Sequence, residues 1–148
     1  MWGDEKAALD IYCKMYAEQG TQARHHDTLR ATVSGLIITA IGALLAFSKF
    51  DSIGHTFGWA ILVLSVLGCL LSLKHYERNR LHTRMQIAFS NEIDSILTKS
   101  GLRMSIIFEE SRKNQGLFLK ILNTIRLFLL WLIIFVFLGG LGFYIATR

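Results

Sequence analysis

The 148-residue chain contains no proline and only two cysteines. Without proline, no position forces a helix to kink or to end, so long unbroken helices are expected. Cys13 and Cys69 lie in segments of different composition and form no CxxC pair. This pattern argues against a disulfide framework and against a zinc knuckle.

Charged side chains are missing from three long stretches of the chain. Residues 31–48, 52–73 and 127–147 contain no Lys, Arg, Asp or Glu. Each stretch reaches or approaches the ~20 residues with which a helix crosses ~30 Å of hydrocarbon. Inside lipid, only helices let one open chain with runs of this length satisfy every backbone polar group. We therefore predict an all-α membrane protein with three transmembrane helices, at 31–48, 53–73 and 127–147.

The segment before the first span is polar but periodic. Between residues 4 and 30, apolar side chains recur every three or four positions, which predicts an amphipathic N-terminal helix. Gly20 lowers the stability of that helix and is expected to mark a bend. Because this segment is too short to fold comfortably by itself, we expect residues 1–148 to form one membrane unit.

The segment between the second and third spans, 74–126, keeps a helical periodicity although charge returns. We therefore expect the second span to continue as a long cytoplasmic helix to about Lys99, where Ser100 and Gly101 supply a stop. A further amphipathic stretch after Gly101 completes a cytoplasmic helical hairpin. Gly116 and Arg126 precede the third span.

Basic residues set the expected topology. Ten of the 16 Lys and Arg residues lie between Lys74 and Arg126. Because loops rich in Lys and Arg stay in the cytoplasm, this segment and the N-terminus are predicted inside, with a tight outer turn at 49–52 and the C-terminus outside. A polar stretch of about 30 residues comes before the first span, so we expect that span to be retained rather than removed as a signal peptide.

The same basic segment is expected to attract anionic lipid headgroups or a partner protein. Nucleic acid is a weaker expectation, because no aromatic residues interleave with the basic ones to form a recognised binding groove. The residues expected to make these contacts are Arg78, Arg80, Arg84, Arg103, Arg112 and Lys113.

Small residues recur within the spans at the spacing that lets membrane helices approach closely. A short connection makes the first two spans an antiparallel hairpin, so the simplest use of their small faces is against each other, with a second face left for another subunit. Glycines near the end of the third span, 139–142, form either a close-packing point or a flexible end. The residues expected to pack helices or subunits are Gly35, Gly42, Ala46, Ser65, Gly68, Cys69 and Ser72.

Side chains that carry chemistry are scarce. The spans contain no ionisable residue apart from His55 near the outer interface, which argues against a pump or secondary transporter. His25 and His26 are adjacent and face different directions, which disfavours a metal site. His75 and His82 share a helix face that is expected to be solvated or interfacial, with pH sensing as the alternative. No phosphate-binding loop, GxSxG or HExxH pattern occurs, so we expect no enzyme, no cofactor and no metal.

Four groups of residues carry a resemblance to a known family: Ile11-Tyr12 with Met15 and Glu18, the run 44–47, Trp59, and Tyr76-Glu77-Arg78. Over about residues 5–97 the chain resembles the SLATT superfamily of two-span bacterial membrane proteins, which includes the RipA-type octameric proteins. The resemblance implies a homo-oligomer in the bacterial inner membrane that belongs to an antiphage or conflict system and perturbs the membrane when a partner or nucleotide signal activates it. The third span departs from the two-span pattern, and no sensor domain is fused.

The favoured hypothesis is a homo-oligomeric inner-membrane effector or accessory subunit that forms a pore or perturbs the membrane when a separate cytoplasmic partner protein activates it. Its C-terminus is expected in the periplasm. The alternative is a passive membrane scaffold that recruits a soluble partner enzyme through its cytoplasmic helices. A phage holin also has this size and number of spans, but the long basic cytoplasmic segment fits that class poorly.

Overall fold

In the computed structural model, the residues described are 2–47, 54–101, 103–113 and 127–148. Regular structure within these ranges is helical throughout, with no strand, which confirms the predicted all-α class. The elements in chain order are α1 (Trp2–Phe47), α2 (Gly54–Leu97), a 3₁₀ turn (Thr98–Ser100), α3 (Met104–Lys113) and α4 (Leu127–Thr147).

Three of these helices, α1, α2 and α4, are long and apolar enough to cross a membrane. Residues 31–47 and 54–73 of the first two predicted spans lie within helices of 46 and 44 residues, since α1 and α2 each have an apolar and a polar half, and residues 48 and 53 lie outside the described residues. The absence of proline permits this length, because nothing interrupts the backbone hydrogen-bond ladder. The predicted outer turn at 49–52, together with Gly116 and Arg126, lies outside the described residues.

The end of α2 lies close to where the sequence predicts it. The helix tightens into the 3₁₀ turn, and the N–H of Gly101 donates to the carbonyl of Thr98 at 3.1 Å. Gly101 adopts a φ of 73°, a left-handed conformation that is costly for residues with a Cβ. The carboxylate of Asp94 then accepts a hydrogen bond from the N–H of Ser105 at 3.0 Å, which satisfies a free donor in the first turn of α3.

The described residues divide into two compact units. The polar unit contains residues 2–26, 78–101 and 103–113. In it α1 and α2 run antiparallel, because Tyr12 contacts Phe89 with ring centroids 6.3 Å apart and Glu5 pairs with Lys99. Ile93 is buried in the same unit.

The apolar unit contains residues 27–47, 54–77 and 127–148. Its core consists of Ile37 and Ile41 from α1, Ile61 from α2 and Phe135 from α4. Helix α4 runs antiparallel to α2 and contacts it near both of the ends of α4. At one end the rings of Tyr76 and Phe128 stack 3.9 Å apart, and at the other end Gly58 lies against Ala146.

Large apolar side chains cover the outside of the apolar unit. Phe137 is 71% exposed, Val136 68% and Leu36 66%. Soluble monomers rarely expose continuous apolar surface of this kind, whereas hydrocarbon is a favourable environment for it. This surface is consistent with the predicted multi-pass membrane protein.

Candidate functional site

Helices α2 and α4 meet through glycines. A Cβ on Gly142 would lie 2.8 Å from Cγ2 of Ile61 and 2.9 Å from the carbonyl oxygen of Gly58, so only glycine fits there. A Cβ on Gly139 would make only an ordinary contact, 3.4 Å from Cβ of Ser65. Of the two interpretations left open for the glycine cluster, a close-packing point is therefore what Gly142 forms. Gly140 faces away, with nothing within 4 Å of a Cβ position.

The small residues of α2 pack against α4. Ser65 and Gly68 are buried on the α4 side, where Phe135 fills the space that a side chain on Gly68 would need. Ser72 is also buried, and Cys69 is half-buried. The sequence predicts close packing at these positions. It predicts the first span as the partner, because a short connection joins the first two spans.

Gly35 and Gly42 of α1 have no packing partner among the described residues. No described atom lies within 4 Å of a Cβ position on either glycine, and Ala46 is exposed. The expectation that these residues face the second span is therefore wrong for Gly35 and Gly42. The physical reason is that α1 turns the larger Ile37 and Ile41 toward the core, where they bury more apolar area. Contact of this face with another subunit stays a prediction.

A groove of about 390 Å³ opens between α2 and α4. We call it the α2–α4 groove. Its surface is apolar except for the hydroxyl of Ser65, which is buried and has no hydrogen-bond partner among the described residues. The residues that line it are Leu62, Ser65, Val66, Cys69, Leu70, Phe135, Val136, Gly139, Gly140 and Phe143.

Sequence reasoning missed a buried charge at the start of the first predicted span. Arg30 is only 5% exposed, and its guanidinium pairs with Asp27 at 2.7 Å. The three-residue spacing to Asp27 on a helix is the signal that predicts the pair, since such residues are neighbours on one face.

The polar unit contains a hydrogen-bonded cluster between α1 and α2. Nδ1 of His82 lies 2.7 Å from Oε1 of Gln19, and the side-chain amide of Asn79 donates to the carbonyl of Ala23 at 3.0 Å. His82 also stacks on His26, with ring centroids 5.4 Å apart. His82 is therefore half-buried in a polar contact between α1 and α2, whereas the sequence predicts only that its face is solvated or interfacial.

Within the part of the chain that the structure describes, no group of three His, Cys, Asp or Glu side chains is arranged to hold a metal. His55 is exposed and contacts Trp59 edge to face.

Gly20 lies inside the continuous α1, where the amide nitrogen of Gln86 packs 2.7 Å from its Cβ position. This close approach between α1 and α2 favours glycine there, and the bend expected at Gly20 stays a prediction.

The polar unit also has a groove of about 400 Å³, which we call the polar groove. The carboxylates of Asp94 and Glu109 lie on it, so its electrostatic character suits a cationic group. The residues that line it are Tyr16, Gln86, Ile87, Ser90, Asn91, Asp94, Ser105 and Glu109.

Basic side chains cover the outside of the polar unit. Five of the six predicted contact residues are exposed, and the side chain of the sixth, Arg112, lies outside what the structure describes. Asp10, whose carboxylate hydrogen-bonds the Lys14 ammonium at 2.7 Å, raises the pKa of Lys14, so this lysine stays charged at neutral pH. The exposed residues are Arg78, Arg80, Arg84, Arg103 and Lys113.

Comparisons with protein-family models, with curated proteins and with solved structures find no match to this chain. A functional assignment therefore has to come from the side chains and from the two grooves. The main features are the three apolar helices and the side of α1 with Gly35 and Gly42, which no described residue covers.

Proposed function

We propose that this chain is a multi-pass membrane protein whose apolar unit lies in the bilayer and assembles with further copies of itself. The observation that carries the proposal is the pair Gly35 and Gly42. Both stand on an apolar helix, and neither has a neighbour within 4 Å of its Cβ position. In lipid, where no hydrophobic drive brings helices together, faces of small residues are what permit close association.

The distribution of charge supports one orientation. The polar unit carries most of the exposed basic residues, whereas the described parts of the predicted spans contain no Lys, Arg, Asp or Glu. Because Lys and Arg are retained on the cytoplasmic side, we place the polar unit in the cytoplasm and the C-terminal end of α4 in the periplasm of a bacterial inner membrane. The exposed guanidinium groups then lie near anionic headgroups, each worth about 1 kcal/mol of attraction.

For the activity of this assembly, we propose that it perturbs the membrane when a cytoplasmic partner activates it. The resemblance over residues 5–97 to the SLATT superfamily supports an effector or accessory subunit of an antiphage system. The spans offer no Lys, Arg, Asp or Glu for ion-coupled transport, so passive leakage through or around an oligomer is the activity that fits them.

The test has two readouts on the full chain. Mass measurement in lipid nanodiscs is expected to give discrete oligomers, and monomers at every protein concentration would remove the proposal. Dye-filled vesicles of zwitterionic and anionic lipid, with protein reconstituted at oligomer-forming ratios, are expected to leak after a cytoplasmic extract of phage-challenged cells, which contains the activating partner, is added. Vesicles without protein serve as the control.

A second candidate is a passive scaffold, and the polar groove favours it. Asp94 and Glu109 give that groove a negative character that suits a basic segment of a soluble enzyme. In this case the oligomer forms but passes nothing. Oligomers in vesicles that stay sealed, together with an unchanged membrane potential in cells challenged with phage, would overturn the effector proposal in favour of the scaffold.

A further inference from the structure

The polar groove lies among three helices of the polar unit. Tyr16 lines it from α1, Asp94 from α2, and Ser105 and Glu109 from α3. All of these residues belong to one compact unit, so a single copy of the chain forms the groove. Its volume of about 400 Å³ has room for a few side chains of a ligand and not for a folded domain.

Acidic and basic residues are segregated around this groove. Residues 85–98 and 104–111, which flank it, contain four acidic residues and no Lys or Arg. The whole segment 74–126 nevertheless contains ten basic residues. The groove is therefore an acidic surface within an otherwise basic segment, and a cationic ligand complements it.

Glu109 carries a charge that no described residue neutralises. Its side chain is exposed, and the ion pairs among the described residues do not include it. Lys113, one turn further along α3, is exposed as well and forms no ion pair within the described ranges. An exposed pair at this spacing contributes little when it forms, so an incoming cation displaces it readily.

Asp94 places a second carboxylate on the groove. It accepts a hydrogen bond from the N–H of Ser105 at 3.0 Å, which fixes it beside the first turn of α3. Glu109 follows Ser105 by four residues, so it lies on the same side of α3 and about 6 Å further along the helix axis. Cationic side chains at positions i and i+4 of a helix are separated by the same rise. The spacing of the carboxylates therefore favours a helical ligand with two cations one turn apart.

Most of the groove surface is apolar. Ile87 lines it and is 56% exposed, and the half-buried Tyr16 lies on it too. Covering this surface with an apolar side chain removes it from water, which is favourable. A metal ion is a poor match, because a hard cation requires about six or more oxygen ligands and the described residues offer no group of three metal-binding side chains.

We propose that the polar groove binds a basic amphipathic helix of the cytoplasmic partner protein. Two Lys or Arg side chains of that helix, at i and i+4, pair with Asp94 and Glu109, and an apolar side chain on the same face covers Ile87. The inference rests on the proposed function, because it names the chemistry by which the partner is recognised.

A second copy of the chain is the main competing occupant. Two copies that stand side by side in a bilayer present the same stretches of α2 and α3 to each other. Residues 85–98 and 104–111 carry acids and no base, so like charges would meet there. A partner protein is free of this restriction, and we therefore commit to it and treat the second copy as an outcome of the test.

Peptide binding to the full chain tests the proposal. The chain is reconstituted in nanodiscs of zwitterionic lipid, since anionic headgroups would bind a basic peptide themselves. The ligand is a dye-labelled, alanine-rich helical peptide with two arginines at i and i+4 and one leucine on the same face. Fluorescence anisotropy is expected to show saturable binding above that of empty nanodiscs. A peptide with glutamates in place of the arginines is expected not to bind.

Matched variants assign the binding to the groove. Glu109→Gln should raise the dissociation constant of the arginine peptide about fivefold, by the worth of one exposed ion pair. Glu110→Gln removes the same charge from the next position of α3, which is exposed and is not among the residues that line the groove, so it should leave the constant unchanged. Ile87→Ala should raise it about threefold through lost apolar contact, whereas Leu81→Ala, at an exposed site of α2 away from the groove, should not.

Equal dissociation constants for Glu109→Gln and Glu110→Gln overturn the proposal, because a general negative potential then accounts for the binding. Binding no tighter than that of empty nanodiscs overturns it too, as does binding that persists unchanged when alanine replaces the leucine of the peptide. Peptide binding that disappears as copies assemble assigns the groove to a second copy instead.

The outcomes also separate this inference from the proposed function, since one copy contains the whole groove. Oligomers that leak on activation but bind no peptide overturn the docking site and leave the proposed function standing. Monomers that bind the peptide with the expected variant pattern overturn self-association and support the docking site.

Discussion

Phe135 of α4 occupies the space above Gly68 of α2, and its Cδ1 lies 2.7 Å from where a Cβ on Gly68 would stand. The ring is fully buried there and belongs to the core of the apolar unit. The large ring of Phe135 thus packs onto a residue that has no side chain. In lipid, where the hydrophobic effect does not bring helices together, such close packing stabilises their association.

Gly68→Ala should destabilise the apolar unit by about 1–3 kcal/mol, because the new methyl group forces the Phe135 ring or the α4 backbone to shift. Unfolding in monomer-forming detergent micelles measures this change. Gly140→Ala is the control, since its Cβ position is open and alanine favours the helix by about 0.5–1 kcal/mol. Equal stabilities for the two variants would show that Gly68 and Phe135 are not in contact.

Phe135→Ala should cost about 3–5 kcal/mol by leaving a cavity in the core. Combined with Gly68→Leu, which places a side chain into that cavity, the loss is expected to be smaller than the sum of the two single losses. A double-mutant cycle measured by the same unfolding assay reports this coupling. Additive losses would mean that the two positions do not share a packing site.

In the polar unit, Gln19→Ala should cost about 1–3 kcal/mol, because it leaves Nδ1 of His82 half-buried and without its acceptor. The expected readout is faster amide hydrogen exchange in α2 around His82. Thr83→Ala is the matched control one position further along the same helix. Its hydroxyl bonds only the local carbonyl of Asn79 at an exposed site, so exchange should change little.

The sequence predicts the helices of this protein better than it predicts their partners. Uncharged runs and the absence of proline identify three spans and the long extension of α2, since these features act within one segment. Which face meets which helix depends on a competition between faces. On α1, Ile37 and Ile41 face the core, and Gly35 and Gly42 do not. Ser65 lies against Gly139, which is far from it in the chain.

The polar contacts were predictable only in part. A helical stripe of apolar residues indicates that the N-terminal segment packs, yet Ile11 of that stripe is exposed while Gln19 is buried. The burial of Gln19 is tolerated because His82 hydrogen-bonds its side-chain oxygen. The sequence of neither segment alone indicates this pair. The stop at Gly101, by contrast, depends on one residue and is found where predicted.

Gly101→Ala should destabilise the polar unit by about 1–2 kcal/mol, because the left-handed conformation at φ 73° crowds a Cβ against the backbone. Nothing lies within 4 Å of the Cβ position, so backbone strain is the whole expected cost. Gly101→Asn should lose less, since asparagine tolerates this region better. Thermal unfolding followed by circular dichroism ranks the three chains, and an alanine variant as stable as the glycine chain would contradict the assigned conformation.

The native cysteines allow the proposed topology to be tested with little change to the chain. Cys13 is exposed in the polar unit, so in a Cys69→Ala background a membrane-impermeant maleimide should label it in inverted vesicles and not in intact spheroplasts. Thr147→Cys in a chain lacking both native cysteines should show the reverse, because Thr147 is exposed at the end of α4. The physical reason is that moving the basic polar unit across the membrane is disfavoured by its Lys and Arg residues. Labelling of Cys13 from outside would place the basic segment in the periplasm, and with it the polar groove, out of reach of any cytoplasmic partner.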